Sequence, residues 1–127
     1  MAMDSISVLL GKTLVSIDQC GIESINFKCT DGTEYIMYHQ QDWCESVSIE
    51  DVIGEYDNLI GSPILMAEEI ESGDNPEGYV EDHTSEYFSW TFYKLATVKG
   101  CVTIRWRGSS NGFDSEDVYF TEVKGSK

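Results

Sequence analysis

The clearest structural signal in this sequence is the stretch from Glu23 to Gln40, ESINFKCTDGTEYIMYHQ. Apolar and polar residues alternate on both sides of its centre, as they do in strands that bury one face. The central Asp31-Gly32 dipeptide is a strong hairpin turn, because glycine tolerates the positive φ that the turn requires. The stretch therefore predicts two antiparallel strands, and the residues sharing a face within each strand are Ile25, Phe27 and Cys29, and then Tyr35, Met37 and His39.

Similar short segments, bounded by turn residues, occur on both sides of this hairpin. They predict further strands at residues 13–18, 45–53, 64–70, 89–98, 101–107 and 117–123. A short helix capped by Asp4 or Ser5 precedes them, and polar loops are predicted at 72–86 and 108–112. Because strands do not alternate with helices, we expect a mainly β fold of about seven strands with one or two short helices. It would be an antiparallel sheet, a sandwich or a partly closed barrel, forming a single domain over residues 1–127.

The segment at residues 45–60 fits two interpretations. Its apolar residues also have helical spacing, with Ser48 as a cap and Gly61 as the end. Gly54 in the middle would cost such a helix about 1 kcal/mol relative to alanine. We therefore predict a strand to Ile53, followed by a short helical turn over residues 55–60.

Acidic charge is concentrated in one part of the chain. The net charge is −15, and residues 29–93 contain sixteen acids but neither lysine nor arginine. A solvated, solubilising face is the ordinary explanation of such a run. Here the run continues through predicted strands, where it would repel nucleic acid and anionic lipid and attract proteins with basic clefts. The residues that we expect to contact a partner are Asp57, Glu68, Glu69, Glu71, Asp74, Glu77, Glu81 and Asp82.

The four cysteines, residues 20, 29, 44 and 101, are scattered singly and form no C-x-x-C pair. The chain is also too large and apolar for a disulfide scaffold. No signal peptide and no run of transmembrane length is apparent. We therefore expect a cytoplasmic protein with reduced thiols.

Several motifs together resemble those of a family of small phage and prophage proteins, known mainly as a domain of unknown function. They are residues 11–14, 31–39, 41–45, 90–94, 105–106 and 110–112. Many members have a second cysteine where this chain has Trp43, so metal or redox chemistry that needs that cysteine is not expected here. The resemblance implies a setting in the host-cell cytoplasm, where small phage proteins often act on host machinery, including defence nucleases.

A zinc site is one alternative. His39, Cys44 and His83, with a carboxylate, are of the residue types that bind zinc. Their spacing is not that of a known ligand set, and His39 is equally explained as a buried, hydrogen-bonded histidine. No cofactor is therefore predicted, and zinc is retained only as a structural possibility.

A nucleotide site is a second alternative. Arg105 and Arg107 fall on one strand face, with Asn111 in the following loop, and arginine forks bind phosphate. The competing interpretation is that both arginines neutralise neighbouring acids, and a net charge of −15 opposes a phosphate ligand at long range. A protein with such a nucleotide site would sequester a nucleotide second messenger.

Catalysis is not predicted, because the sequence contains neither a G-x-S-x-G elbow nor a P-loop. The leading hypothesis is a non-enzymatic, anti-CRISPR-like inhibitor that mimics DNA. It would block a basic, nucleic-acid-binding site on a host protein, without binding nucleic acid or membrane itself.

Overall fold

Two four-stranded antiparallel sheets make up the fold. The computed structural model describes residues 5–39, 46–72, 87–110 and 118–123. This part of the chain has two short 3₁₀ helices: Ile6–Leu9 precedes the first strand, and Tyr56–Leu59 lies between the fourth and fifth strands. The strands are β1 (Leu14–Cys20), β2 (Ser24–Cys29), β3 (Glu34–Tyr38), β4 (Ser46–Ile53), β5 (Met66–Ser72), β6 (Tyr87–Thr97), β7 (Gly100–Ser110) and β8 (Tyr119–Glu122).

The first sheet has the order β1-β2-β3-β8 and the second the order β4-β7-β6-β5. Every strand pair is antiparallel. The predicted mainly β, antiparallel class is confirmed, with eight strands in the described residues rather than about seven. These strands form two open sheets and not a closed barrel, so β5 and β4 are the edges of the second sheet.

The predicted hairpin is present as β2 and β3. Phe27 lies opposite Tyr35, and Gly32 in the turn has φ +90°. The Asp31 carboxylate stabilises the turn by accepting hydrogen bonds from the backbone N–H and the hydroxyl of Thr33, at 3.0 and 2.6 Å. Its other oxygen accepts from Lys12 Nζ at 2.6 Å, and this bond, followed by those from Thr33, holds the pKa of Asp31 well below its usual range.

One hydrophobic core joins the two sheets. The inward-facing residues predicted for the hairpin are buried, including His39 just after β3. Apart from His39, they belong to the same cluster as Tyr93, Ile104 and Trp106 of the second sheet. The indole N–H of Trp106 donates to the sulfur of Met37 at 3.2 Å, so the sheets also share a buried hydrogen bond.

The described part of this ambiguous segment, residues 46–60, is a strand followed by a 3₁₀ helix, as predicted. Gly54 has φ +110°, which no helical residue adopts. A Cβ at this position would lie 2.6 Å from the carbonyl oxygen of Cys101. The backbone therefore leaves β4 at Gly54, and a continuous helix through residues 48–60 is excluded.

The prediction of a loop at residues 108–112 was wrong about where the loop starts, because β7 continues to Ser110. Gly108 pairs with Val47 of β4 on one side and with Ser89 of β6 on the other. Strand neighbours on both sides satisfy the backbone there, whereas local composition indicates only that glycine and serine favour turns.

Candidate protein-binding surface

Strand β5 carries three of the predicted partner-binding residues. Glu68, Glu69 and Glu71 are all exposed. Side chains of a strand alternate between its two faces. Glu69 and Glu71 therefore lie on the same face as Ala67, whose buried side chain belongs to the core, while Glu68 lies on the outer face of the second sheet. Because β5 is an edge strand, carboxylates project from both faces of this edge.

The cross-strand neighbours of the three glutamates differ. Glu68 lies directly opposite Lys94 on β6, whereas Glu69 lies opposite Tyr93 and Glu71 opposite Thr91. Opposite charges at such positions attract and partly neutralise each other. The residues directly across the strand pair from Glu69 and Glu71 are thus uncharged, unlike the residue across from Glu68.

Asp57 does not lie on this edge. It is exposed within the second 3₁₀ helix, at the end of the second sheet where β6 turns into β7. The Thr97 hydroxyl there donates to the carbonyl of Asn58, and Lys99 Nζ donates to the carbonyl of Ile60 at 2.6 Å. The structure therefore separates Asp57 from the β5 glutamates and places it at an end of the sheet that also carries a lysine.

The other four predicted partner-binding residues, Asp74, Glu77, Glu81 and Asp82, lie outside the described residues, as does most of the polar loop predicted at 72–86. The surface that the structure defines is therefore the β5 edge itself. We call it the β5 edge below, meaning residues 66–72.

Arg105 is engaged by acids of β4. Its Nε lies 2.6 Å and its Nη2 2.5 Å from Oε1 of Glu50, and Nη2 lies 3.9 Å from Oδ2 of Asp51. A register shift between Ile49 and Asp51 adds Glu50 to β4 as an extra residue. The local sequence contains no signal for this bulge, so the pairing could not be predicted.

The guanidinium carbon of Arg105 also lies 5.5 Å from the ring centroid of Trp90. Trp90 is completely buried but is not part of the core between the sheets, because it lies on the outer face of the second sheet. Arg107 shares this face, beside Trp90 and Ser48. Arg105 therefore binds neighbouring acids, as the competing interpretation expected of both arginines, and it also lies over an aromatic ring.

The nucleotide hypothesis requires a phosphate to displace Glu50 from Arg105. The third residue assigned to that hypothesis, Asn111, lies outside the described residues. A thermal-shift screen with cyclic and linear nucleotides tests it, since a tight ligand raises the melting temperature by mass action.

The zinc hypothesis rests on residues of which one is described. His39 is buried at the end of β3, and its ring stacks on that of Tyr119 with centroids 6.2 Å apart. Cys44 and His83 lie outside the described residues. Within residues 5–39, 46–72, 87–110 and 118–123, no three His, Cys, Asp or Glu side chains come together as a metal site. Elemental analysis of protein purified without chelator tests the hypothesis directly.

No described helix has the length and apolar character needed to span a bilayer. The fold and the candidate surface together define a small β sandwich whose second sheet ends in an acidic edge strand. The chain belongs to the family described as domain of unknown function DUF7448, whose model matches residues 7–120, from the first 3₁₀ helix into β8. Neither a curated protein nor a solved structure matches the chain.

Proposed function

We propose that this chain is a non-enzymatic acidic binding protein whose surface occupies a basic, nucleic-acid-binding site on another protein. The observation that carries the proposal is the β5 edge, where Glu68, Glu69 and Glu71 are exposed on an edge strand of a chain with net charge −15. Such concentrated charge destabilises a folded domain through self-repulsion. A partner with a basic cleft would relieve that repulsion on binding.

Three basic side chains of the described residues support this proposal, because each is held away from the β5 edge. Lys12 is held by Asp31, Arg105 by Glu50, and Lys99 by the carbonyl of Ile60. None of these three contacts involves the β5 edge. The exposed acids of the edge add to the negative potential of the chain, which attracts a basic surface over about 8–10 Å at physiological ionic strength.

The spacing of the carboxylates fits a site that binds nucleic acid. Alternate residues of a strand lie about 6.6 Å apart, so Glu69 and Glu71 form a short row on one face. Lysine and arginine side chains that bind phosphate also form charge-assisted hydrogen bonds to carboxylates. A rigid row of this kind acts as a mimic of a nucleic-acid backbone, whose charges are likewise regularly spaced.

The resemblance to small phage and prophage proteins supports a partner in host defence. A CRISPR effector or another defence nuclease has the basic cleft that this surface would fill. The protein would then be an anti-CRISPR-like inhibitor in the host cytoplasm, where it excludes DNA or RNA from the nuclease.

The test is affinity capture from a host lysate at low and high salt, with captured proteins identified by mass spectrometry. The wild-type chain is compared with a triple variant, Glu68→Lys, Glu69→Lys and Glu71→Lys. The matched control reverses three exposed acids away from β5, Asp18, Glu23 and Glu55, to lysine and so changes the net charge equally. Each captured protein is then challenged with double-stranded DNA and with RNA.

We expect capture of a nucleic-acid-binding protein that salt and nucleic acid both release. The β5 triple variant should lose this capture, while the control variant keeps most of it and both retain the far-ultraviolet circular dichroism of the wild type. Capture that is insensitive to salt and to the β5 changes would refute the proposal.

A further inference from the structure

Strand β5 has one edge that no strand of the described residues covers. β6 pairs with β5 along Met66–Ser72 and occupies its other edge. The first 3₁₀ helix contacts β5, but the backbone bridge in that region joins Leu10 to Ile64, before the strand begins. A free strand edge presents a row of N–H and C=O groups that pairs readily with another extended chain. This edge is therefore a template for a fifth strand.

The side chains beside this edge determine which side chains an added fifth strand must have. On the outer face, Ile70 is apolar but 41% exposed, and it lies opposite the half-buried Phe92 of β6. On the inner face, Glu69 and Glu71 present carboxylates. An added strand would therefore place its side chains alternately beside an apolar contact and beside negative charge.

In the registers centred on the middle of β5, a second copy of this chain brings like charges together. Antiparallel pairing of two β5 strands centred on Glu68 sets Glu68 opposite itself, and pairing centred on Glu69 sets Glu69 opposite itself. Centring on Ile70 sets Glu69 opposite Glu71. Like charges directly opposite each other are destabilising, and charged residues are a common means of preventing edge-to-edge association.

We infer that the β5 edge binds an extended basic segment of the partner protein as a fifth strand of the β4-β7-β6-β5 sheet. This inference rests on the proposed function and specifies its mode of recognition. Backbone hydrogen bonds would provide the strand pairing, lysine or arginine residues would face Glu69 and Glu71, and an apolar residue would contact Ile70. Strand addition of this kind derives affinity from the main chain and specificity from alternate side chains.

The experiment uses a synthetic ten-residue peptide in which lysine alternates with valine. Its control has the same sequence and charge but is N-methylated at two adjacent central residues, which removes one hydrogen-bond donor from each edge of the peptide. Affinities for the full chain are measured by fluorescence anisotropy. Amide shifts in ¹⁵N spectra of the chain locate the binding site.

We expect the unmodified peptide to bind about tenfold more tightly than the methylated one, because the latter loses backbone hydrogen bonds. The largest amide shifts should fall on residues 66–72. Equal affinities, or shifts spread over all acidic surfaces, would overturn the strand-addition inference but leave the charge-based proposed function standing. If neither peptide binds while salt-sensitive capture from lysate persists, the strand-addition inference is also overturned and the charge-based proposed function still stands.

A pair of variants separates this edge from the opposite one. Ile70→Thr removes an exposed apolar contact from β5, and Ile53→Thr removes a comparable one from β4 at the far edge of the same sheet. Threonine keeps the strand propensity in both. We expect Ile70→Thr to weaken peptide binding about threefold or more and Ile53→Thr to leave it unchanged. Equal effects of the two substitutions would contradict the inference.

Discussion

The indole N–H of Trp106 donates a hydrogen bond to the sulfur of Met37, 3.2 Å away, and both side chains are fully buried. Met37 belongs to β3 of the first sheet and Trp106 to β7 of the second. The bond therefore joins the two layers of the sandwich across the core. A buried donor costs free energy when its acceptor is removed, so this contact makes the relative position of the sheets specific.

Met37→Leu removes that acceptor with little change in side-chain volume. We expect the free energy of unfolding to fall by about 1–2 kcal/mol, because the indole N–H is left unsatisfied. Met66→Leu on the half-buried start of β5 is the control and should change stability by less than about 0.5 kcal/mol. Urea denaturation measures both, and equal effects would show that the sulfur has no special role.

Gly54→Ala tests the end of β4. At φ +110°, with a Cβ only 2.6 Å from the Cys101 carbonyl oxygen, alanine requires the backbone to shift. We expect a loss of about 2–4 kcal/mol in the free energy of unfolding. Gly21→Ala is the matched control, because Gly21 also has positive φ (+60°) but its Cβ would meet no atom within 4 Å. It should cost only about 1 kcal/mol, and a Gly54→Ala cost no larger than this would contradict the close approach.

Arg105→Ala should destabilise the protein by about 1–2 kcal/mol, because Arg105 binds Glu50 and lies over the Trp90 ring. A double-mutant cycle with Glu50→Gln isolates the ion pair and should give a coupling energy of about 0.5–1 kcal/mol. Lys28→Ala, at an exposed position of β2, is the control and should be neutral within about 0.5 kcal/mol. Additive effects in the cycle would indicate that the pair contributes nothing.

Tyr56 gives the fold a dependence on alkaline pH. Burial raises the pKa of its phenol to about 12. Because the pKa is about 10 in the unfolded chain, the contribution is fully present below about pH 10 and is lost as the pH rises towards 12. Urea unfolding at pH 8, 10 and 11 should show a steeper loss of stability for the wild type than for Tyr56→Phe.

The phenol of Tyr56 also donates to the side-chain oxygen of Gln19 at 2.7 Å. Burial rather than this hydrogen bond is the cause of the raised pKa. Spectrophotometric titration of Gln19→Ala should therefore still show a tyrosine that ionises near pH 12. An ordinary pKa in this variant would show that the hydrogen bond, not burial, sets the value.

The three glutamates of the β5 edge should contribute unequally to binding of a basic partner. Glu69→Gln and Glu71→Gln should each weaken binding several-fold at low salt, whereas Glu68→Gln should have a smaller effect because Lys94 lies opposite it. Lys94→Gln should strengthen binding. Association rates at 50 and 300 mM salt, measured with the captured partner, check this order, and identical effects of the three substitutions would contradict it.

Much of the local structure could be predicted from period and turn chemistry. The alternation of Ile25 and Phe27, and of Tyr35 and Met37, with polar residues predicts which face is buried, and the structure confirms it. The end of β4 was predictable because glycine at residue 54 disfavours a helix. The continuation of β7 to Ser110 was not, because it depends on two neighbouring strands that are distant in sequence.

The candidate surface was predictable in part. The density of acids indicated β5, but nothing local shows that Lys94 lies opposite Glu68 or that Asp57 lies at another part of the sheet. The pairing of Arg105 with Glu50, 55 residues apart, also depends on a bulge in β4. Such relationships follow from the register between strands, which the sequence of one strand does not contain.

By itself, the sequence determined the class of fold and the sign of the surface. Side-chain period and turn residues act over a few neighbours, and the charge of −15 is a property of composition. Only the tertiary structure decided that β5 is an edge strand and that Glu69 and Glu71 share a face, opposite Tyr93 and Thr91 of β6. Strand order is set by which buried faces pack together across the core, and that depends on contacts between residues far apart in the chain.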